Sequence, residues 1–296
     1  MTEDTAAWVQ HGKGQPPRVR WSSALEAPLN DMCLCRESAD AMACDQAGGL
    51  YRIDRGGAIA DVSRSFPDTQ FLAWSDTGTQ GAIASQDTVC WLDHKLQRRW
   101  SRTMPDEITS LAVDSHGHYV AVSVKSGSTW VFRNDKRQVV EVETLRPICN
   151  SGFVCLKPHL IAVADHGLAC TIDLDGEVVW SHELWLNAGD LSFTGDASTV
   201  LIAGYQHGIQ ILDAEGEPSG AYVLQGSPHR VSTAFQGQRL AAATVERQVC
   251  WLTSDGDLIW DASCPEDIGA LACQPLADGF LCGLASGRIV SLSWDD

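Results

Sequence analysis

Three histidines carry the side chains most suited to proton transfer near neutral pH: His166, His207 and His229, with Asp165 and Tyr205 close to them in the chain. Imidazoles grouped with a carboxylate and a phenol can form an acid–base or metal cluster. His166 lies in Asp165-His166-Gly167 and His207 in Tyr205-Gln206-His207-Gly208. Both are turn sequences, in which a histidine also serves the turn alone. A second set of polar residues is Asp68, Glu107, Asn187 and Asp267, three of them just after a proline. Four such oxygens around one opening would suit a hard cation, and the same residues also cap strand ends and satisfy loop amides. Nucleophile elbows, His-Glu-x-x-His and phosphate-binding loops are missing from the chain, so no catalytic residue, metal ligand set or cofactor is assigned.

These residues need elements to hold them, and composition limits which. The chain has 296 residues, 44% of them hydrophobic, enough to bury a sizeable core. Twenty-six glycines and no long stretch with helical spacing favour short strands joined by turns. The formal charge is −17, from 38 acidic and 21 basic residues. That field opposes nucleic acid and anionic lipid; it reads first as a solubility charge and otherwise as an acidic face for a basic partner. The N-terminus lacks the basic and apolar regions of a signal peptide, and no apolar run approaches the roughly 20 residues of a membrane helix. A cytoplasmic protein is expected. The eleven cysteines are scattered and include no Cys-x-x-Cys pair. Cys44, Cys90, Cys155, Cys170, Cys250, Cys273 and Cys282 read as small hydrophobes on inward strand positions.

A unit of strand, tight turn and strand organises the chain. Cys170-Thr-Ile-Asp-Leu-Asp-Gly-Glu-Val-Val-Trp180 returns as Cys250-Trp-Leu-Thr-Ser-Asp-Gly-Asp-Leu-Ile-Trp260 and, more loosely, as the stretch from Cys90 to Trp100. The residue ending the strand before the turn is Ile53, Leu92, Phe132, Ile172, Leu212, Leu252 and Leu292. The closing strand ends at Ala60, Trp100, Val140, Trp180, Gly220 and Trp260, and one further step back reaches Trp21. A period near 40 with four short strands per unit is that of a β-propeller blade. The expected fold is therefore all-β, a seven-bladed propeller of four-stranded antiparallel blades over residues 18–296, after a tail of residues 1–17. The two series are out of phase. The strand from Arg18 to Ser22 should thus complete the blade built by Ile268 to Trp294, so that the ring has no open edge between first and last blades.

Leu111-Ala-Val-Asp-Ser-His-Gly-His-Tyr-Val-Ala-Val-Ser123, Leu72-Ala-Trp-Ser-Asp-Thr-Gly78 and Leu191-Ser-Phe-Thr-Gly-Asp-Ala197 resemble the first two strands of a WD40 blade. Where that family has Trp-Asp, this chain has Ile53-Asp54, Leu92-Asp93, Ile172-Asp173 and Leu212-Asp213, and three copies lose the Asp. The Gly-His pair that opens a WD40 repeat is missing. Gly176 to Trp180 and Gly256 to Trp260 resemble the quinoprotein (PQQ-type) repeat, in which a glycine precedes a docking tryptophan by four.

Recurrence at repeat spacing assigns Trp21, Trp100, Trp180 and Trp260 to wedges between blades, where an aliphatic side chain would leave a void. The small residues Ala43, Ala84, Ser123, Val163, Ala203, Ala243 and Gly283 belong where the ring narrows. Function is expected on the face whose loops enter each blade and join its second and third strands. The candidate contact residues there are Trp185, Arg230, His229, Tyr205, Arg146, Asp68, Glu107 and Asp267. Trp185-Leu186 stands out, being apolar where other blades carry Pro-Asp or Pro-Glu. The leading expectation is a non-enzymatic scaffold or regulatory module binding a protein or peptide, basic in character, as a monomer or within a larger assembly. The alternative is a small-ligand binder, or a hydrolase- or lyase-type enzyme, using the central channel with His166, His207 and Asp165. The two differ in shape: a deep pocket with converging groups for the enzyme, a broad shallow face with Trp185 or Arg230 exposed for the scaffold.

Overall fold

A computed structural model describes residues 7–294. The chain is a seven-bladed β-propeller: seven antiparallel sheets in sequence order around an axis. Blades 1 to 7 begin with the strands Leu29–Leu34, Phe71–Trp74, Ile108–Val113, Ile148–Phe153, Ala188–Phe193, Pro228–Thr233 and Ile268–Cys273, which line the axis. The fourth strand of blade 7 is Arg18–Ala24, which pairs with Arg288–Ser293 so that Trp21 lies opposite Ser291. The two ends of the chain share a sheet, as the phase of the repeat requires.

The core lies within and between blades. All seven small second-strand residues are buried, and the third-strand indoles of Trp91, Trp130 and Trp251 are buried with them. The closing-strand tryptophans dock on the neighbouring blade. Trp21 Nε1 donates to Arg55 O at 3.1 Å and Trp100 Nε1 to Asn134 O at 2.7 Å, each on the next blade's hairpin turn. Gly57, at φ 85°, lies under the Trp21 ring, and a Cβ there would come within 2.6 Å of the indole. Gly220 leaves blade 5 without its indole, and Tyr222 takes over by donating to Ser254 O at 2.6 Å. The aspartates standing where WD40 blades have Trp-Asp cap those turns: Asp173 Oδ1 accepts the amides of Asp175 and Glu177, and Asp54, Asp93 and Asp213 do the same two and four residues on.

Cys44, Cys90, Cys170, Cys250, Cys273 and Cys282 lie on strands and are buried as expected. Burial pushes the Cys170 thiol up to about 11 and that of Cys250 up to about 12. Cys155 differs from its expected strand position. It lies in the loop after Ile148–Phe153 and is half-buried. Residues 7–17 pack on blade 6. A short helix, Ala7–Gln10, buries Val9, and Lys13–Gly14 pairs with Leu258–Ser263 as a fifth strand over Trp260. Of the expected tail and propeller spans, residues 1–6 and 295–296 lie outside the described residues. No helix of the described residues is long and apolar enough to cross a membrane.

Candidate functional site

The loops that enter the blades and those joining second to third strands share one face, as backbone bonds such as Tyr205 N to Asn187 O and Lys125 N to Glu107 O require. A groove of about 310 Å³ opens there between blades 4 and 5, lined by Arg146, His166, Glu183, Trp185, Asn187 and His207. Its shape follows from two loops tied together. Leu184 N donates to Gly167 O at 2.6 Å, and Gly167 sits at φ 85° where any Cβ would collide with Leu184 O. Leu186 then turns inward and is buried, while Trp185 beside it is 94% exposed. His166 Nδ1 is 2.9 Å from Asn187 Oδ1, and its Nε2 is 3.7 Å from Asp165. Arg146 donates to the His166 carbonyl and stands 3.8 Å from Glu183. Arg146, His166, Trp185 and His207 are thus brought together.

The other candidates are not part of that groove. Glu107 pairs with Lys125 at 3.1 Å and Asp267 with Arg247 at 2.7 Å, while Asn187 is taken by His166. Asp68 is exposed at φ 58° in the loop before blade 2. The four oxygens form no common cage, and among the described residues no three His, Cys, Asp or Glu side chains gather as a metal would need. Tyr205 is partly exposed at the rim. His229 Nε2 meets Ile268 O at 3.0 Å, apart from His166 and His207. Arg230 is not on the rim with Trp185. It lines the channel, donating to the carbonyls of Gly269, Gly189 and His229 at 2.7–3.2 Å.

The sequence reading named the central channel as the alternative site but not the residues that line it, and His166, His207 and Asp165 are not among them. The channel has a volume of about 230 Å³, with Asp31, Ser110, Asn150, Asp190 and Arg230 among its walls. First strands of six blades carry a β-bulge at their start, at 29/31, 108/110, 148/150, 188/190, 228/230 and 268/270. The extra residue re-aims side chains there. Asp31 accepts the amides of Met32 and Leu72, and Asp190 those of Leu191 and Val231, so each carboxylate ties its blade to the next. Desolvation pushes the Asp31 carboxyl up to about 6, and raises Asp190 against the pull of Arg230. A signal was present: positions 30, 70, 110, 150, 190 and 230, forty apart, are Asn, Gln, Ser, Asn, Asp and Arg. At the opposite face Arg36 of blade 1 holds both Asp76 carboxylate oxygens at 2.7 and 2.9 Å, reaches Cys155 Sγ at 2.7 Å and lies 5.4 Å from the Phe235 ring centre. Residues of blades 2, 4 and 6 meet only across the axis, so this guanidinium spans the channel's far end.

No family model matches the chain, and no curated protein matches it. Its structure is similar to that of the β-propeller domain of Cps50 (Swd1) from Myceliophteria thermophila, with a TM-score of 0.77 and 16% identity over 95% of this chain and 100% of that one. At that identity the likeness is one of fold, and the fold is shared by 1840 matching solved chains. It does not choose among functions.

Proposed function

We propose that this protein is a non-enzymatic interaction module that docks a protein or peptide on the face bearing the blade 4–5 groove. The observation that carries this reading is Trp185, 94% exposed and fixed at the groove edge by the buried Leu186. The short, hydrogen-bonded loop fixes the backbone beneath the indole, so binding has only its two side-chain torsions to order, a small cost for an interface anchor. Arg146, His166, Asn187 and His207 supply polar contacts around it.

Affinity capture from native cells tests this with the wild type and Trp185→Ala in parallel. The expected result is a partner recovered by the wild type at ordinary stoichiometry and lost or reduced at least about tenfold by the variant, the scale of one anchor. Equal recovery by both, with both folded, overturns the reading. A second reading places a small polar ligand in the channel, favoured by Asp31, Asp190 and Arg230 facing one lumen. It requires a metabolite that raises the melting temperature of the wild type and not of Asp190→Asn.

A further inference from the structure

Apolar side chains on this face are distributed unevenly. Leu145, Trp185 and Val223 lie in the loops entering blades 4, 5 and 6 and are 93%, 94% and 89% exposed, with Val245 of blade 6 also exposed. In the loops entering the remaining blades, Leu25, Met104 and Cys264 are buried and Phe66 is half-buried. Scattered single hydrophobes are ordinary on a surface, but three in consecutive blades at one edge form an arc that invites cover. The charges of this face are lopsided too. Its loops contain only four Lys or Arg residues, Arg64, Lys125, Arg146 and Arg247. Each is engaged within the face, by Glu26, Glu107, Glu183 and Asp267 respectively. Asp68, Asp87, Asp106, Asp165, Glu246 and Glu266 face no Lys or Arg partner among the described residues. The positive charges are spent locally; of the remaining carboxylates Asp165 and Glu246 lie in the blades of the apolar arc, and the other four lie on blades 2, 3 and 7 of the same face.

We infer that the partner is a basic segment that also carries apolar side chains, these lying along Leu145, Trp185 and Val223 and its Lys or Arg residues meeting the carboxylates that have no Lys or Arg partner. This rests on the docking role proposed for the face and adds the chemistry of what docks there. Like-signed partners are rejected by the same field, since juxtaposed like charges oppose association. Salt weakens the attraction, because screening shortens from about 10 Å at 0.1 M ionic strength to about 3 Å at 1 M.

The test uses the full chain and two fluorescein-labelled peptides, one alternating lysine with leucine and one alternating glutamate with leucine, followed by fluorescence anisotropy. The lysine peptide is expected to bind and the glutamate peptide not. Trp185→Ala with Leu145→Ser should weaken the lysine peptide at least about tenfold, equivalent to about 1.4 kcal/mol. Asp165→Lys with Glu246→Lys should do the same and flatten the salt dependence. The matched control Asp175→Lys with Glu215→Lys, on exposed turns of the opposite face, should leave binding unchanged. Failure of the wild type to bind the lysine peptide, or equal loss in the control pair, overturns the inference. If the native partner's capture still depends on Trp185 while salt and the Asp165/Glu246 reversal leave it unchanged, the docking face stands and its basic partner falls. If capture ignores Trp185 as well, both fall.

Discussion

Asp31 illustrates how a single side chain serves two demands. Its oxygens hold the amides of Met32 and Leu72, which joins blades 1 and 2, yet its position in the lumen removes most of the water that would stabilise the charge. Its carboxyl is raised from 3.8 to about 6, so the folded chain binds this proton more tightly than the unfolded chain does. The contribution to stability is then full below the unfolded value and is lost as pH rises through about 6. Melting curves of the wild type and Asp31→Asn should therefore separate in favour of the wild type as pH falls from 7 to 4. A constant difference across that range would show that the lumen does not desolvate this group. The turn aspartate Asp173, by contrast, is partly exposed and accepts two amides where water can still reach it.

Among the elements, the strand Arg18–Ala24 has the largest consequence for its length. Its register with Arg288–Ser293 closes the ring, and Trp21 carries the contact onward to Arg55 of blade 1. Deleting residues 1–24 leaves the third strand of blade 7 with an open row of amides and carbonyls beside a buried core, a ready template for pairing with another chain. The expected outcome is loss of the monodisperse species in size-exclusion chromatography with light scattering. Deleting only residues 1–17 should be milder. It uncovers Trp260 and the blade 6 edge, seen as a red shift in tryptophan emission and a lower melting temperature, with the ring intact. Equal behaviour of the two deletions would contradict closure by this strand. The bulges at the first-strand starts matter in the same way, because each turns a wall residue into a lumen residue without altering the repeat length.

For the molecule as a whole, two contacts cross what the repeat leaves separate. The closing strand joins the chain's ends, and Arg36 joins blades 1, 2, 4 and 6 across the axis. Asp76 is mostly buried beneath that guanidinium, so Arg36→Ala leaves a carboxylate with little water and no cation. Truncating one partner of such a pair costs roughly 2–5 kcal/mol. Hydrogen exchange should then rise together in the loops after the first strands of blades 1, 2, 4 and 6. Arg36→Lys should restore this only in part, because an ammonium lacks the planar fork that holds both Asp76 oxygens and lies over Phe235. A rise confined to blade 1 would mean that the axis contact is not coupled. The disc is in this sense a ring of similar sectors, with one end of its channel spanned and an asymmetric apolar arc on the other face.

The recurrence of turn and indole near every fortieth residue was enough to derive seven blades, the shared sheet of the two termini and the wedge role of Trp21 and Trp100. Those features rest on contacts each blade repeats with its neighbour, and a period in sequence is the direct image of such contacts. The exposed Trp185 was legible for the opposite reason, as a departure from the repeat. The polar series at positions 30 to 230 marked Arg230 as a lumen residue, but neither kind of signal could reveal that His229 parts from His166 and His207, or that Arg36 meets Asp76, Cys155 and Phe235. Bulges shift where side chains point without shifting the count of residues, and contacts through the axis join unlike positions of distant blades. Only the closed ring brings those positions within reach of one another.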